Sequence, residues 1–425
     1  MSDAGIIGFA GLSHLGIVYS AAAIARGFSV VAFDPQPELA KDLVRRRFPI
    51  QEPGLEEVVR QNQALIRYTA DAESLGLCSL IFISLDVPTD DNNNSNLEPL
   101  EVLIKEIGTH ASSDATLVIM SQVPPGFCRN LLSKLPPNVA LFYQVETLVF
   151  GNAIDRAVHP ERYIVGCADP DTSLPDLYRR FLDAFECPVL RMGYESAELC
   201  KIAINCFLVS SVSTANTLAE ICEKIGADWN EIVPALRSDR RIGSYAYLNP
   251  GLGIAGGNLE RDLVTVQKLA AEYGSDARII TAWQQNSAYA KDWVLRRLYR
   301  LGLLQGAGSS FAVWGLAYKP DTNSTKNSPA LSLFRALPQC RWRAYDPAAR
   351  IDAGSFSGVR LYNSPLEAID NVCALIVMTP WKEFGQISGT DIRSRLGNGP
   401  VVDPYRILEG EALRHLGLGY HCIGA

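Results

Sequence analysis

The chain has 425 residues, too many for one ordinary domain, so two or three domains are expected. Hydrophobic residues make up 48% and charged residues 20%, the balance of a soluble globular protein. A net charge of −7 with no long basic run argues against nucleic-acid binding through a basic patch, although helix N-termini and a few Lys or Arg suffice to hold a phosphate locally.

Ten cysteines are scattered without a CxxC pair, most of them in apolar runs such as "NVCALIVM". They read as reduced core thiols of a cytoplasmic protein, and no metal centre is expected. The opening "MSDAGIIGFAG" has neither a basic n-region nor a long apolar h-region, so no signal peptide is expected. No uninterrupted apolar run reaches about 18 residues, so no membrane span is expected.

In chain order, the apolar runs "GIIGFA", "SVVAFD", "LIFISL", "TLVIMS", "VALFYQV" and "RYIVGC" alternate with helical stretches such as "LGIVYSAAAIARG" and "PELAKDLVRRRF". This βαβ rhythm predicts a doubly wound parallel sheet. "PTDDNNNSNLEP" (88–99) is polar and turn-rich, a surface loop. From about residue 195 the strands stop. "ESAELCKIAINCFLVSSVSTANTLAEICEKIGA" is one long helical pattern, and "ERDLVTVQKLAAEYG" and "ARIITAWQQNSAYAKDWVLRRLYRLG" are helical too. "SSFAVWGLAYKP" restarts a strand, and "RWRAYDP", "ALIVMTP" and "GPVVDPY" carry a second α/β unit to the C-terminus. The layout is an α/β domain over 1–195, a helical centre over 196–303 and a second α/β domain over 304–425.

The first strand runs into "GLSHLG". Gly11, Ser13 and Gly16 occupy the three positions of the G-x-G-x-x-G dinucleotide fingerprint, with Ser13 in place of the middle glycine. Asp34 closes the second strand 18 residues after Gly16. A carboxylate there accepts hydrogen bonds from the adenosine ribose and repels a 2′-phosphate, which points to NAD rather than NADP. His14, Leu15 and Gly16 open the helix whose N-terminus receives the pyrophosphate. The Ser13 side chain is expected to narrow that approach. His14 is expected to be a structural or phosphate-contacting residue rather than a catalytic one.

Six further motifs follow in order: "FPIQEPGLEEVV" (48–59), "MSQVPPGF" (120–127), "ETLVFGNAIDRAVHPERYIVG" (146–166), "AELCKIAINCFL" (197–208), "RRIGSYAYLNPGLGIAGGNLERD" (240–262) and "GLAYKPDTNSTKNSPAL" (315–331). With the fingerprint, they make the sequence resemble the UDP-glucose/GDP-mannose dehydrogenase family over nearly its whole length. The resemblance implies two Rossmann-like domains joined by a helical dimerisation core, hence a homodimer or higher oligomer. It implies NAD and a nucleotide sugar, UDP-linked by default, whose C6 alcohol is oxidised to a carboxylate in two hydride transfers. In that family a Lys, an Asn and an Asp with an ordered water deprotonate the alcohol. A Cys then captures the aldehyde, and a Glu helps water to hydrolyse the resulting thioester.

Lys201 and Asn205 match the family's Lys and Asn. Independently, they stand four residues apart on one predicted helix and so share a face, where a Lys and an Asn among apolar residues need a partner or a ligand. Asp262 matches the catalytic Asp, although it also suits the first turn of a helix opening "LVTVQKLAAE". Glu146 matches the family's Glu and follows the strand "VALFYQV" at its C-terminal end, where open α/β sheets bind ligands. The resemblance places Leu148, Arg241, Asn249, Gly253, Ile254 and Lys319 with the substrate, Arg241 reaching a partner subunit's site. It places Pro88, Ser121 and Lys326 with the cofactor.

The departures form a pattern. Asn258 stands where the family has its nucleophilic Cys, and Gly257 where it has a Ser. Glu260-Arg261-Asp262 replaces the usual Pro-Lys-Asp. Gln122 replaces a Thr near the hydrolytic water, and Phe150 replaces a second Glu. The groups for the first hydride transfer remain, whereas those for the thioester are gone or altered. The leading expectation is oxidation of the sugar alcohol to a carbonyl and no further. A full uronate-forming enzyme without a covalent intermediate, and a silent nucleotide-sugar or NAD-binding protein, stay open beside it.

Overall fold

The computed structural model describes residues 5–90, 92–305 and 308–425. The chain packs as two compact units, 1–204 and 205–425.

The first unit holds an eight-stranded sheet. Its strands are β1 (Ile6–Ala10), β2 (Val30–Phe33), β3 (Ile66–Thr69), β4 (Cys78–Ile83), β5 (Thr116–Ile119), β6 (Ala140–Gln144), β7 (Tyr163–Cys167) and β8 (Val189–Gly193), in the order β3-β2-β1-β4-β5-β6-β7-β8. Alternate residues feed two cores: Phe9, Phe82 and Phe142 on one face, Ile81, Ile83 and Tyr143 on the other. Burial on both faces is why these strands read as unbroken apolar runs. The expected all-parallel sheet needs one correction, because β6 and β7 pair antiparallel, Tyr143 opposite Gly166. The segment between them carries only the short helix Ala153–Val158 and returns beside β6 without the crossover that a parallel pair requires.

The second unit holds β9 (Ser310–Trp314), β10 (Arg341–Tyr345), β11 (Val359–Leu361), β12 (Ala374–Val377), β13 (Val401–Val402) and β14 (Tyr420–His421), all parallel, in the order β11-β10-β9-β12-β13-β14. Both sheets reverse strand order beside their first strand, the place where open α/β sheets bind ligands. The second unit repeats the wiring of the first. Asp34 accepts from Leu12 N after β1, and Asp346 accepts from Leu316 N and Ala317 N after β9.

The long helix Tyr194–Ile225 runs from one unit into the other. Over an 18-residue window its hydropathy averages 1.4, so by length and composition it is apolar enough to cross a membrane. Its buried Glu198, Lys201 and Asn205 nevertheless each bond to protein groups. The predicted helix over 277–302 is two helices, Arg278–Lys291 and Trp293–Arg300, broken at Asp292.

Candidate active site

The dinucleotide turn forms as the fingerprint requires. A Cβ on Gly16 would lie 2.0 Å from the Gly11 carbonyl oxygen, so no side chain fits there, and Gly11 has φ +90°. Asp34 is buried, with Oδ2 accepting from Leu12 N at 2.8 Å and Oδ1 from Gln36 N at 3.0 Å. A carboxylate has about four lone-pair sites, so capacity for ribose hydroxyls remains. Ser13 does not narrow the turn as expected. Its Oγ donates to Ser84 O at 3.1 Å and accepts from Asp86 N at 2.9 Å, which turns the side chain towards the loop after β4. A glycine-lined turn, a helix N-terminus and a buried carboxylate together fit NAD.

His14 begins the helix His14–Ala25, and its Nε2 lies 2.7 Å from Glu52 Oε1. Its ring packs on Phe150 with centroids 4.1 Å apart. Glu52 also accepts from Gly151 N and Ala153 N. Glu52 stands just before the Pro53-Gly54 turn of the motif "FPIQEPGLEEVV", and nothing in the sequence alone marks it as the partner of His14. Leu15 is a core side chain, so only its backbone faces the turn. Pro88 is exposed, with its carbonyl accepting from Asn96 N. Ser121 is buried and donates to Ile83 O at 3.3 Å.

In the first unit, Lys201 Nζ lies 2.7 Å from Glu146 Oε1 and donates to the Glu146 backbone oxygen at 3.0 Å. Glu146 Oε2 accepts from Leu148 N, which fixes the start of the loop after β6. One turn before Lys201, Glu198 is fully buried and accepts from Gly126 N at 2.6 Å and Cys128 N at 2.8 Å. It thereby holds the "SQVPPGF" loop to the long helix. Desolvation by burial raises its carboxyl above the ordinary 4.5, against the lowering by those backbone donors.

In the second unit, Asn205 Nδ2 donates to Asp262 Oδ2 at 2.6 Å. Arg261 Nε donates to Asp262 Oδ1 at 3.3 Å, with both side chains buried. Arg261 as the buried partner of Asp262 was not foreseen, because adjacent helical residues ordinarily diverge by about 100°. Asn258 is the first residue of the helix Asn258–Tyr273, one turn before Asp262, and is exposed. The glycines ahead of it serve close packing: a Cβ on Gly256 would lie 2.7 Å from the Tyr318 ring. Gly256 N donates to Lys326 O at 3.1 Å, and Asn327 Nδ2 donates to Gly256 O at 3.1 Å. Glu260 bonds Asn327 and Lys291.

The remaining expected residues are dispersed. Ile254 is buried, its N–H donating to Ser287 Oγ, and Gly253 lies against Ser287. Asn249 is exposed, Lys319 sits 5.8 Å from the Tyr318 ring centroid, and Arg241 is highly exposed in an ion pair with Asp239.

Residues 6–182 match the NAD binding domain of the UDP-glucose/GDP-mannose dehydrogenase family, 195–288 its central domain and 312–410 its UDP binding domain. The chain belongs to this family. It is 29% identical to a UDP-glucose 6-dehydrogenase of Pseudomonas aeruginosa, over 97% of this chain and 96% of that one. A UDP-glucose 6-dehydrogenase of Bacillus subtilis is 27% identical, over 97% of this chain and 92% of that one. In fold it matches a UDP-glucose dehydrogenase of Pyrobaculum islandicum with a TM-score of 0.86 at 24% identity, over 99% of this chain and 98% of that one. The protein is therefore an NAD-dependent nucleotide-sugar dehydrogenase, an oxidoreductase acting on CH–OH donors.

Cys206 adjoins Asn205 on the long helix. Burial, and after it the Asp262 carboxylate, push the Cys206 thiol up to about 11. At neutral pH it is a thiol, not a nucleophilic thiolate.

Proposed function

We propose that this dehydrogenase oxidises one alcohol of a nucleotide sugar, C6 by default, to the carbonyl and releases it at that stage. The reading rests on Asn258, which the resemblance places at the nucleophile's position and which begins the helix that carries Asp262, while burial holds the thiol of the nearby Cys206 protonated. An amide nitrogen is non-basic and forms no thioester equivalent. Phe150, packed on His14, supplies no carboxylate for hydrolysis. Bound NAD supplies the hydride acceptor. Asp262, aligned by Asn205 and Arg261, takes the alcohol proton through an ordered water. The Lys201 ammonium, oriented by Glu146, stabilises the alkoxide that forms.

Uridine diphosphate is the favoured nucleotide, on the match of 312–410 to a UDP binding domain. A dimer is favoured by the long helix itself. Phe207, Ser211, Thr214, Leu218, Ile221 and Ile225 recur at alternating spacings of four and three, the seam of a helix that packs on another. Phe207 is 78% exposed and Ile225 71%.

The test is the number of NADH released per sugar consumed, with hydrazine trapping of the product. One NADH and a trapped carbonyl are expected. Two NADH and a uronate overturn the reading in favour of direct hydrate oxidation. No NADH with any nucleotide sugar overturns it in favour of a binding protein.

A further inference from the structure

Glu52 sits where three helices of the first unit begin. His14 opens His14–Ala25, Leu55 opens Leu55–Gln61 just after Glu52, and Ala153 opens Ala153–Val158. The Glu52 side chain has no exposed surface. Gly151 N donates to its Oε2 at 3.0 Å and to its Oε1 at 3.2 Å, Ala153 N donates to Oε2 at 3.2 Å, and His14 Nε2 lies 2.7 Å from Oε1. His14 is its ion-pair partner among the described residues. A buried carboxylate is costly unless such partners surround it. Gly151 has φ +84°, so the turn that presents these backbone donors favours glycine.

The two backbone groups can only donate, and an ionised carboxylate can only accept. His14 therefore carries hydrogen on Nε2, with its ring held by Glu52 and packed on Phe150. The segment that Glu52 holds, 151–153, closes the loop that starts at Glu146 after β6. The start of that loop is tied elsewhere: Lys201 Nζ donates to Glu146 O at 3.0 Å, and Arg156 Nε donates to Thr147 O at 2.9 Å. Glu52 thus joins the first residue of the helix behind the dinucleotide turn to the loop that carries Glu146.

We propose that Glu52 is a positioning residue for the oxidation. It fixes the His14 imidazole as an Nε2–H donor beside the dinucleotide turn, and it anchors the loop that sets Glu146 against Lys201. The second role rests on the reading that Lys201 and Glu146 serve the alcohol proton.

The imidazole is read without cofactor or substrate. Nitrogen-15 NMR of the histidine-labelled full chain at about pH 8.5, where an ordinary histidine is neutral, should find hydrogen on His14 Nε2. In Glu52→Gln the single amide oxygen is claimed by Gly151 N and Ala153 N, so the amide NH2 faces His14, and Nε2 should be bare. Turnover tests the loop. Glu52→Leu leaves both backbone donors without an acceptor and should lower kcat about tenfold or more at saturating NAD and sugar. In a Lys201→Ala background the same change should cost less than about twofold, because the geometry it protects is already lost. A bare Nε2 in the native protein, or a protonated Nε2 in Glu52→Gln, overturns the proposal. So does a native kcat in Glu52→Leu, or an equal loss in both backgrounds, which marks general destabilisation. Should Glu52→Leu not fold, the imidazole comparison decides alone. A native rate in Lys201→Ala overturns the acid–base reading instead, and the imidazole comparison still decides for Glu52.

Discussion

Two side chains decide the proposed one-step oxidation, Lys201 and Asn258. Lys201 is paired with Glu146 and does not belong to the glycine turn that fits NAD. Lys201→Ala is expected to slow turnover by roughly 10²–10⁴-fold while NAD affinity stays unchanged. A rate within threefold of the native enzyme would place the proton chemistry elsewhere. Asn258 is exposed at the start of a 16-residue helix, where the positive end of the dipole favours an anion. A thiol placed there by Asn258→Cys should ionise more readily than Cys206, whose thiol is pushed up to about 11. Iodoacetamide at neutral pH should therefore label position 258 ahead of Cys206, as mass spectrometry of the peptides would show. Preferential labelling of Cys206 would contradict the electrostatic account of why it does not substitute for the family's nucleophile.

Among the elements, the four strands with no apolar run to mark them in the sequence share one property. Ile66–Thr69, Val189–Gly193, Val359–Leu361 and Tyr420–His421 are the four sheet edges, and three of them contain no fully buried residue. An interior strand is covered on both faces and shows as an apolar run; an edge strand is not, and its signal fades. The site divides in the same way. Gly11, Gly16, Asp34, Lys201 and Asp262 were legible because spacing or motif marks them. Glu52, Glu198 and the burial of Arg261 depend on partners distant in sequence or on how one helix turn packs. Glu198 joins the long helix to the "SQVPPGF" loop, and its carboxyl sits above 4.5 through burial. Below pH 4.5 it is protonated whether the chain is folded or not. As pH rises past that value the unfolded chain releases its proton while the folded chain retains it, so stability is lost. Glu198→Gln cannot ionise, so its stability relative to the native protein should rise from acid to neutral pH. Urea midpoints at the two pH values measure this, and a constant difference would mean that burial does not strain the charge.

For the whole molecule, the question is how many chains make the working enzyme. The exposed seam of the long helix is costly in a monomer, since large apolar side chains such as Phe207 and Ile225 gain about 1.5–3 kcal/mol each on full burial. The spacing of four and three keeps that seam on one face for five intervals, which a single chain leaves in water. A second copy presents the same seam, so a twofold pairing covers both at once. Arg241 adds a second reason. It is almost fully exposed and held by Asp239 on a loop otherwise lined with exposed Ile242, Tyr245 and Tyr247. That composition fits a surface meant to be covered. Phe207→Glu places a charge in the seam without touching a buried core position. It is expected to shift sedimentation from dimer to monomer at micromolar concentration while circular dichroism keeps the native helix content. Turnover should fall with the dimer fraction and recover on raising protein concentration. A native protein that sediments as a monomer with full activity would show that the seam serves another purpose.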